Sequence, residues 1–367
     1  MPATNSKNGQ ESILLIDDNE EYLGALAHAL EASIKGEVEV RTWLPTEDDP
    51  LVKLDSLVDD DTILVATDYD LTSQVRGLFG MTIVGWCQKR LIPVGDFSRK
   101  NIADLPKEPN LFELRVPATE EEGAAFISAT ASGFRELRRS LTANPEILKA
   151  KLSLAGVLAT LLRKRELESQ FALYMTRLGA SNSSLLDQLR RFAGPEQPTD
   201  DEKRQLLAYV LGHVLPNAIL KYPGPILSEK ALCAYIATAD EEGEALAQIF
   251  ESERYAGPFS AQGRYYWRDQ VDDRIDALAG NIDSAKFEMF SDYNRASVEK
   301  AAGRKLANHG CQRCGGTKGG FLCPFMRRPV CLRPDCSVSA SSWVPQGAQL
   351  CRVERDFYDE WAPLLGL

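Results

Sequence analysis

The sequence predicts an α/β protein, with a five-stranded, doubly wound parallel sheet in its first third, an all-α middle region, and a small zinc-binding module at the C-terminus. Three observations predict it. The apolar run Ser12-Ile13-Leu14-Leu15-Ile16 passes straight into Asp17 and Asp18. A second run, Thr62-Ile63-Leu64-Val65-Ala66-Thr67, ends in the same way at Asp68. Six of the eight cysteines lie beyond residue 310.

Strand and helix signals alternate through residue 118. The first run is a buried strand, and Tyr22-Leu23-Gly24-Ala25-Leu26-Ala27-His28-Ala29-Leu30 after it has helical spacing. A second strand is expected near Val38–Trp43, a helix around 51–57, then the strand ending at Asp68 and a helix over 81–87. Leu91-Ile92-Pro93-Val94 reads as strand four and Phe112-Glu113-Leu114-Arg115-Val116 as strand five, completing a domain over 11–118. Thr119 followed by Glu120, Glu121 and Glu122 has the chemistry of a helix cap with a first turn suited to the helix dipole.

Helical periodicity takes over from there. Residues 119–194 are expected to form a helical linker or dimerisation arm, interrupted at Asn144-Pro145, and Gly194-Pro195-Glu196-Gln197-Pro198 reads as a linker. A helical domain is expected over 200–300. Its cluster Tyr265-Tyr266-Trp267, flanked by Arg264 and Arg268, has the chemistry of a recognition surface, although packing into the bundle is the reading favoured here. Residues 304–367 form the zinc module.

If the two acid-tipped strands lie side by side, Asp17, Asp18 and Asp68 come together as an all-oxygen cluster suited to Mg²⁺. At these residues the first third of the chain resembles the receiver domain of bacterial two-component response regulators. That resemblance implies a flavodoxin-like sheet, phosphoryl acceptance at Asp68, and Mg²⁺ held by Asp17, Asp18 and Asp68. It also implies a cytoplasmic bacterial signalling protein in a phosphorelay. Two positions depart from the family pattern: Ser98 is the only hydroxyl near the end of strand four, and Val116 stands before Pro117 where the family has Lys.

Composition narrows the function classes. Charged residues at 26% and hydrophobic ones at 44% are those of an ordinary globular protein of two or three domains. No apolar run reaches the length of a membrane span, and the first residues lack the apolar core of a signal peptide, so a cytoplasmic location without membrane contact is expected. A net charge of −11 argues against general affinity for nucleic acid. With only His28, His213 and His309, and no phosphate-binding loop, the sequence points away from an enzyme.

Cysteines clustered in a reducing compartment point to metal. Cys311-Gln312-Arg313-Cys314-Gly315 is a knuckle, a turn that points two thiolates at one ion. Cys331 and Cys336 are the expected second pair, with Cys323 the other contender, and His309 is left out as too close to Cys311. Four thiolates make a closed structural zinc site. Between residues 304 and 336, Arg304, Lys305, Arg313, Lys318, Arg327, Arg328 and Arg333 face one acidic residue, Asp335. This local field suits phosphates or an acidic protein surface. The reading is a regulatory or scaffold protein with a receiver-like input, self-association or partner contact through the helical region, and a zinc-stabilised partner-binding end. The alternative is a DNA-binding component of a transcription-regulatory or phage-defence assembly that uses the basic zinc module on nucleic acid. A further reading is that the acidic pocket binds a metal or nucleotide without being phosphorylated.

Overall fold

The computed structural model describes residues 10–34, 36–46, 49–72, 75, 77–97, 111–150, 152–176, 198–311, 313–316, 319–339 and 343–362. Contacts divide the chain into two compact units, one of Met1–Leu105, Asn110–Leu152 and Leu178–Val214, the other of Pro106–Pro109, Ser153–Arg177 and Leu215–Leu367.

The first unit is built on a five-stranded parallel sheet in the order β2-β1-β3-β4-β5, with β1 Ser12–Ile16, β2 Glu39–Trp43, β3 Thr62–Asp68, β4 Val94–Phe97 and β5 Leu114–Val116. This is the flavodoxin-like order, in which ligands sit beyond the C-terminal strand ends at the reversal between β1 and β3. Every residue of β1 and β3 is buried, as continuous apolar runs in a sheet covered on both faces should be. Each fully buried Leu or Ile contributes about 2 kcal/mol.

Strand four differs from the sequence reading. It runs Val94–Phe97, later than expected, because Pro93 has no N–H to donate and enters the ladder only as an acceptor, from Val65 N at 2.9 Å. Gly95 is required where β4 meets β5, since a Cβ there would lie 2.9 Å from Val116 Cγ2.

Helices cover the sheet. α1, Glu20–Ile34, buries Leu23, Leu26, Ala27 and Leu30 at three- and four-residue spacings and is capped by Asn19, whose Oδ1 accepts from Tyr22 N at 2.9 Å. α2, Pro50–Leu57, starts with Pro at its first position and an Asp49 cap. α3, Gly80–Lys89, packs with α2 over one core of Leu14, Ile16, Leu54, Val65, Ile83, Val84 and Cys87. α4, Glu120–Ala143, lies along α1. Thr119 does not cap it with its side chain: the hydroxyl donates to Glu122 Oε2 at 3.0 Å instead, while the acidic first turn remains. α5, Glu146–Lys149, is one turn, after the break at Asn144-Pro145.

The second unit contains α6, Leu154–Leu161, and α7, Glu168–Tyr174. α8, Asp200–Val214, belongs to the first unit; a π-helical turn, Leu215–Ile219, follows it in the chain. The second unit continues with the antiparallel pair β6, Ile226–Ser228, and β7, Tyr265–Trp267, around α9, Glu229–Ile236, and α10, Gly243–Ile249. α11, Arg268–Ala279, and α12, Phe290–Ala302, complete the helical part. Leu227, Leu232, Ile236, Leu246, Phe250, Tyr266, Ile275 and Val298 make the core. The aromatic cluster is therefore packing: Tyr266 and Trp267 are buried in β7, Arg264 pairs with Glu229 and Glu244, and Arg268 with Asp272. Short strands β8, Phe321–Cys323, β9, Arg328–Val330, β10, Ser337–Val338, and β11, Val353–Glu354, precede the last helix, α13, Arg355–Trp361.

Candidate functional site

Two clusters of ligand-type side chains form among the described residues, one in each unit. The first follows from strand register. Ile16 pairs with Thr67, so the next residues, Asp17 and Asp68, leave the sheet side by side. Asp17 and Asp68 are buried and Asp18 half-buried, and carboxylate oxygens of the three lie within 4.8 Å of one another. At an effective dielectric of 20, each such pair repels by about 3 kcal/mol or more. A divalent cation bound by oxygen relieves that repulsion.

Backbone amides fix the carboxylates. Asn19 N donates to Asp17 Oδ1 at 2.7 Å and Tyr69 N to Asp68 Oδ1 at 2.8 Å. The start of α3 presses on the same turn: Gly80 N donates to Tyr69 O at 2.9 Å, and a Cβ on Gly80 would sit 2.1 Å from Asp68 O. Only glycine allows that approach. Sequence reading missed this residue, since a glycine opening a helix carries no local signal of what it touches. Val116 is buried in β5 and Arg115 on the same strand is exposed. Phe97, at the end of β4, pairs with Asp68 and its ring lies 5.6 Å from Tyr22. Ser98 lies outside the described residues.

The first unit thus has a flavodoxin-like parallel sheet with an acidic cluster at the C-terminal edge of β1 and β3. No family model matches the chain, and no curated protein matches it. Among solved structures, a response regulator receiver domain protein from Clostridium thermocellum is similar at 21% identity, over 32% of this chain and 90% of that one, with a TM-score of 0.25.

The second cluster gathers Cys311, Cys314, Cys331 and Cys336, with sulfurs within 4.8 Å of one another. Cys314 Sγ and Cys331 Sγ are 3.7 Å apart. Four sulfurs at ~2.3 Å from one zinc define a tetrahedron whose edge is ~3.8 Å, whereas a disulfide holds its sulfurs at ~2.0 Å. The separation suits a metal centre. The first pair sits on the expected knuckle: Gly315, at φ +61°, turns the chain so that its N–H donates to Cys311 O at 2.7 Å, and Gly316 N donates to Cys314 Sγ at 3.4 Å. Burial alone would push the Cys311 thiol up, but the amides of Cys314, Cys331 and Arg313 outweigh it and bring the thiol down to about 7. The second pair is strapped by Ser337 Oγ, which donates to Cys331 O at 2.6 Å, and by Arg355 N, which donates to Cys336 O at 2.9 Å.

Cys323 and Cys351 are buried outside the four-sulfur cluster, and Cys323 Sγ accepts from Glu354 N at 3.4 Å. His309 is buried and stands apart from the cluster.

The basic residues of this segment are mostly engaged. Arg304 makes two bonds to Glu242 and holds that carboxyl down at about 2. Lys305 pairs with Glu299 at 2.7 Å, Arg313 with Asp356, and Arg328 with Glu354 at 3.7 Å. Arg327 and Arg333 are exposed, and Lys318 lies outside the described residues.

Proposed function

We propose that this chain is a regulatory protein whose receiver-like unit takes a phosphoryl group at Asp68 and whose zinc-stabilised C-terminal module contacts a protein partner. The observation that carries the first half is the cluster of Asp17, Asp18 and Asp68 oxygens within 4.8 Å at the C-terminal edge of β1 and β3. Mg²⁺ there would neutralise charge on the transferred group, with Asp17, Asp18 and Asp68 as its protein ligands. An Asp68 carboxylate oxygen forms the bond to phosphorus as the donor's bond to phosphorus breaks, and the leaving group departs with that electron pair. The Tyr69 amide on Asp68 Oδ1 keeps the carboxylate oriented during attack. The change reaches α3 through Gly80, which has no side chain to cushion movement of the Asp68 turn.

The C-terminal half of the proposal places a protein rather than nucleic acid on the zinc module. Phosphates would have to compete with the carboxylates that hold Arg304, Lys305, Arg313 and Arg328. A second reading, cation binding without phosphoryl transfer, is favoured by one observation: buried Val116 at the position of the family's Lys.

Intact mass after Mg²⁺ and a small phosphoryl donor such as acetyl phosphate tests the proposal. A gain of one phosphoryl group, absent in Asp68→Asn, is the expected result. No gain, with Mg²⁺ still raising the melting temperature, would overturn the phosphoacceptor role in favour of the second reading.

A further inference from the structure

Seven large hydrophobic side chains remain exposed among the described residues, and four of them, Leu51, Val52, Phe79 and Met81, lie on α2 or at the start of α3. Val52 is 66% exposed and Met81 48%. Between the two helices runs an open groove of about 620 Å³, lined by Leu51, Val52, Met81, Gly85 and Trp86. Apolar surface concentrated in this way on one face marks an interaction site rather than scattered exposure.

The rim indicates what fills it. Asp55 on α2 faces Arg90, just after α3, at 3.1 Å, and the Arg90 guanidinium also lies 3.8 Å from the centre of the Trp86 ring. The pair is loose, with the Asp55 side chain 64% and the Arg90 side chain 44% exposed, and Lys89 adds a further positive charge to the lining. The groove thus carries both signs of charge, one on each bordering helix, around an apolar floor. This arrangement is self-complementary in an isologous dimer, because a two-fold axis sets residue i of one copy against j of the other and j against i. We infer that the α2–α3 groove is a self-association surface filled by the same face of a second copy of this chain, with Asp55 of each copy exchanging its own Arg90 for the Arg90 of the other. This inference is independent of phosphoryl transfer at Asp68.

Sedimentation velocity of the full chain across concentrations up to about 100 µM tests it. The wild type is expected to dimerise, and Val52→Asp and Met81→Asp, at positions open to solvent in the single chain, to weaken the dimer at least tenfold without changing the far-UV circular dichroism, because each would bury an unpaired charge (about 1.4 kcal/mol per tenfold). Asp55→Lys and Arg90→Asp break the same contact within a chain, and each alone sets like charges across the two-fold axis. Mixed in equal amounts, the two variants restore both inter-copy pairs, so the mixture should associate at least tenfold more tightly than either alone. A wild type that stays monomeric, which would leave the groove to another occupant, overturns the inference. So does a dimer indifferent to Val52→Asp and Met81→Asp, or a mixture no tighter than its components.

Discussion

The carboxylate and thiolate clusters are both metal-type sites, but they stand on opposite kinds of support. Asp17, Asp18 and Asp68 extend from β1 and β3, strands buried along their whole length in a five-stranded sheet. Cys311 and Cys314 sit on the segment between α12 and β8, Cys331 and Cys336 on the turn between the short strands β9 and β10, and the four pack together as a small cluster of their own. The hydrophobic core therefore holds the acidic site in place before any ion arrives. The thiolate site rests on short strands, and a metal bound there would supply folding energy. The contrast separates a site preformed by the sheet from one that a bound metal would complete.

The largest effect should come from removing the metal of the second site. Structural zinc is worth about 10–16 kcal/mol in small thiolate modules. Cys331→Ser is expected to reduce zinc from one per chain and to lose the near-ultraviolet signal of Trp343 and Trp361, which pack with Phe357 in this module. Mg²⁺-dependent stabilisation of the first unit should persist. Loss of both together would break the comparison.

The next effect probes the packing of the first unit. His213 on α8 is fully buried among Phe112, Phe134 and Tyr209, and burial pushes it down to about 4, against a smaller upward pull from the Tyr209 carbonyl. The unfolded chain, titrating near 6.5, takes up the proton first. Stability is thus complete above pH 6.5 and falls as pH drops towards 4, by about 3 kcal/mol in all. Urea unfolding across that range should show the slope in wild type and a flatter one in His213→Phe, whatever the variant's absolute stability.

A smaller effect sharpens the link between the acidic site and α3. Gly80→Ala is expected to destabilise the first unit by about 2 kcal/mol, because the added Cβ must displace the Asp68 carbonyl, and to weaken Mg²⁺ binding with it. Unchanged Mg²⁺ affinity, measured by calorimetry, would disconnect α3 from the site.

The sequence showed these features unevenly, for physical reasons. β1 and β3 are legible because a strand buried on both faces needs an unbroken apolar run, and each ends in charge at the sheet edge. The C-x₂-C-Gly knuckle is legible because local turn geometry alone aligns its sulfurs. Strand four was misplaced because Leu91-Ile92-Pro93 looks apolar, and its lack of a donor at Pro93 matters only when β3 is alongside. The basic segment looked like an open field because the partners of Arg304 and Lys305 are Glu242 and Glu299, the first of them 62 residues away. Local charge counting does not see such pairs. The role of Gly80 depends likewise on a contact with Asp68 that no spacing encodes.

Hydrogen exchange on the full chain with and without a strong zinc chelator, in constant Mg²⁺, tests the comparison most directly. The expected result is rapid loss of protection in Phe321–Cys323, Arg328–Val330 and Val353–Glu354, with amides of Ser12–Ile16 and Thr62–Asp68 unchanged. Protection that survives chelation in the C-terminal strands, or that collapses in β1 and β3, would contradict the account.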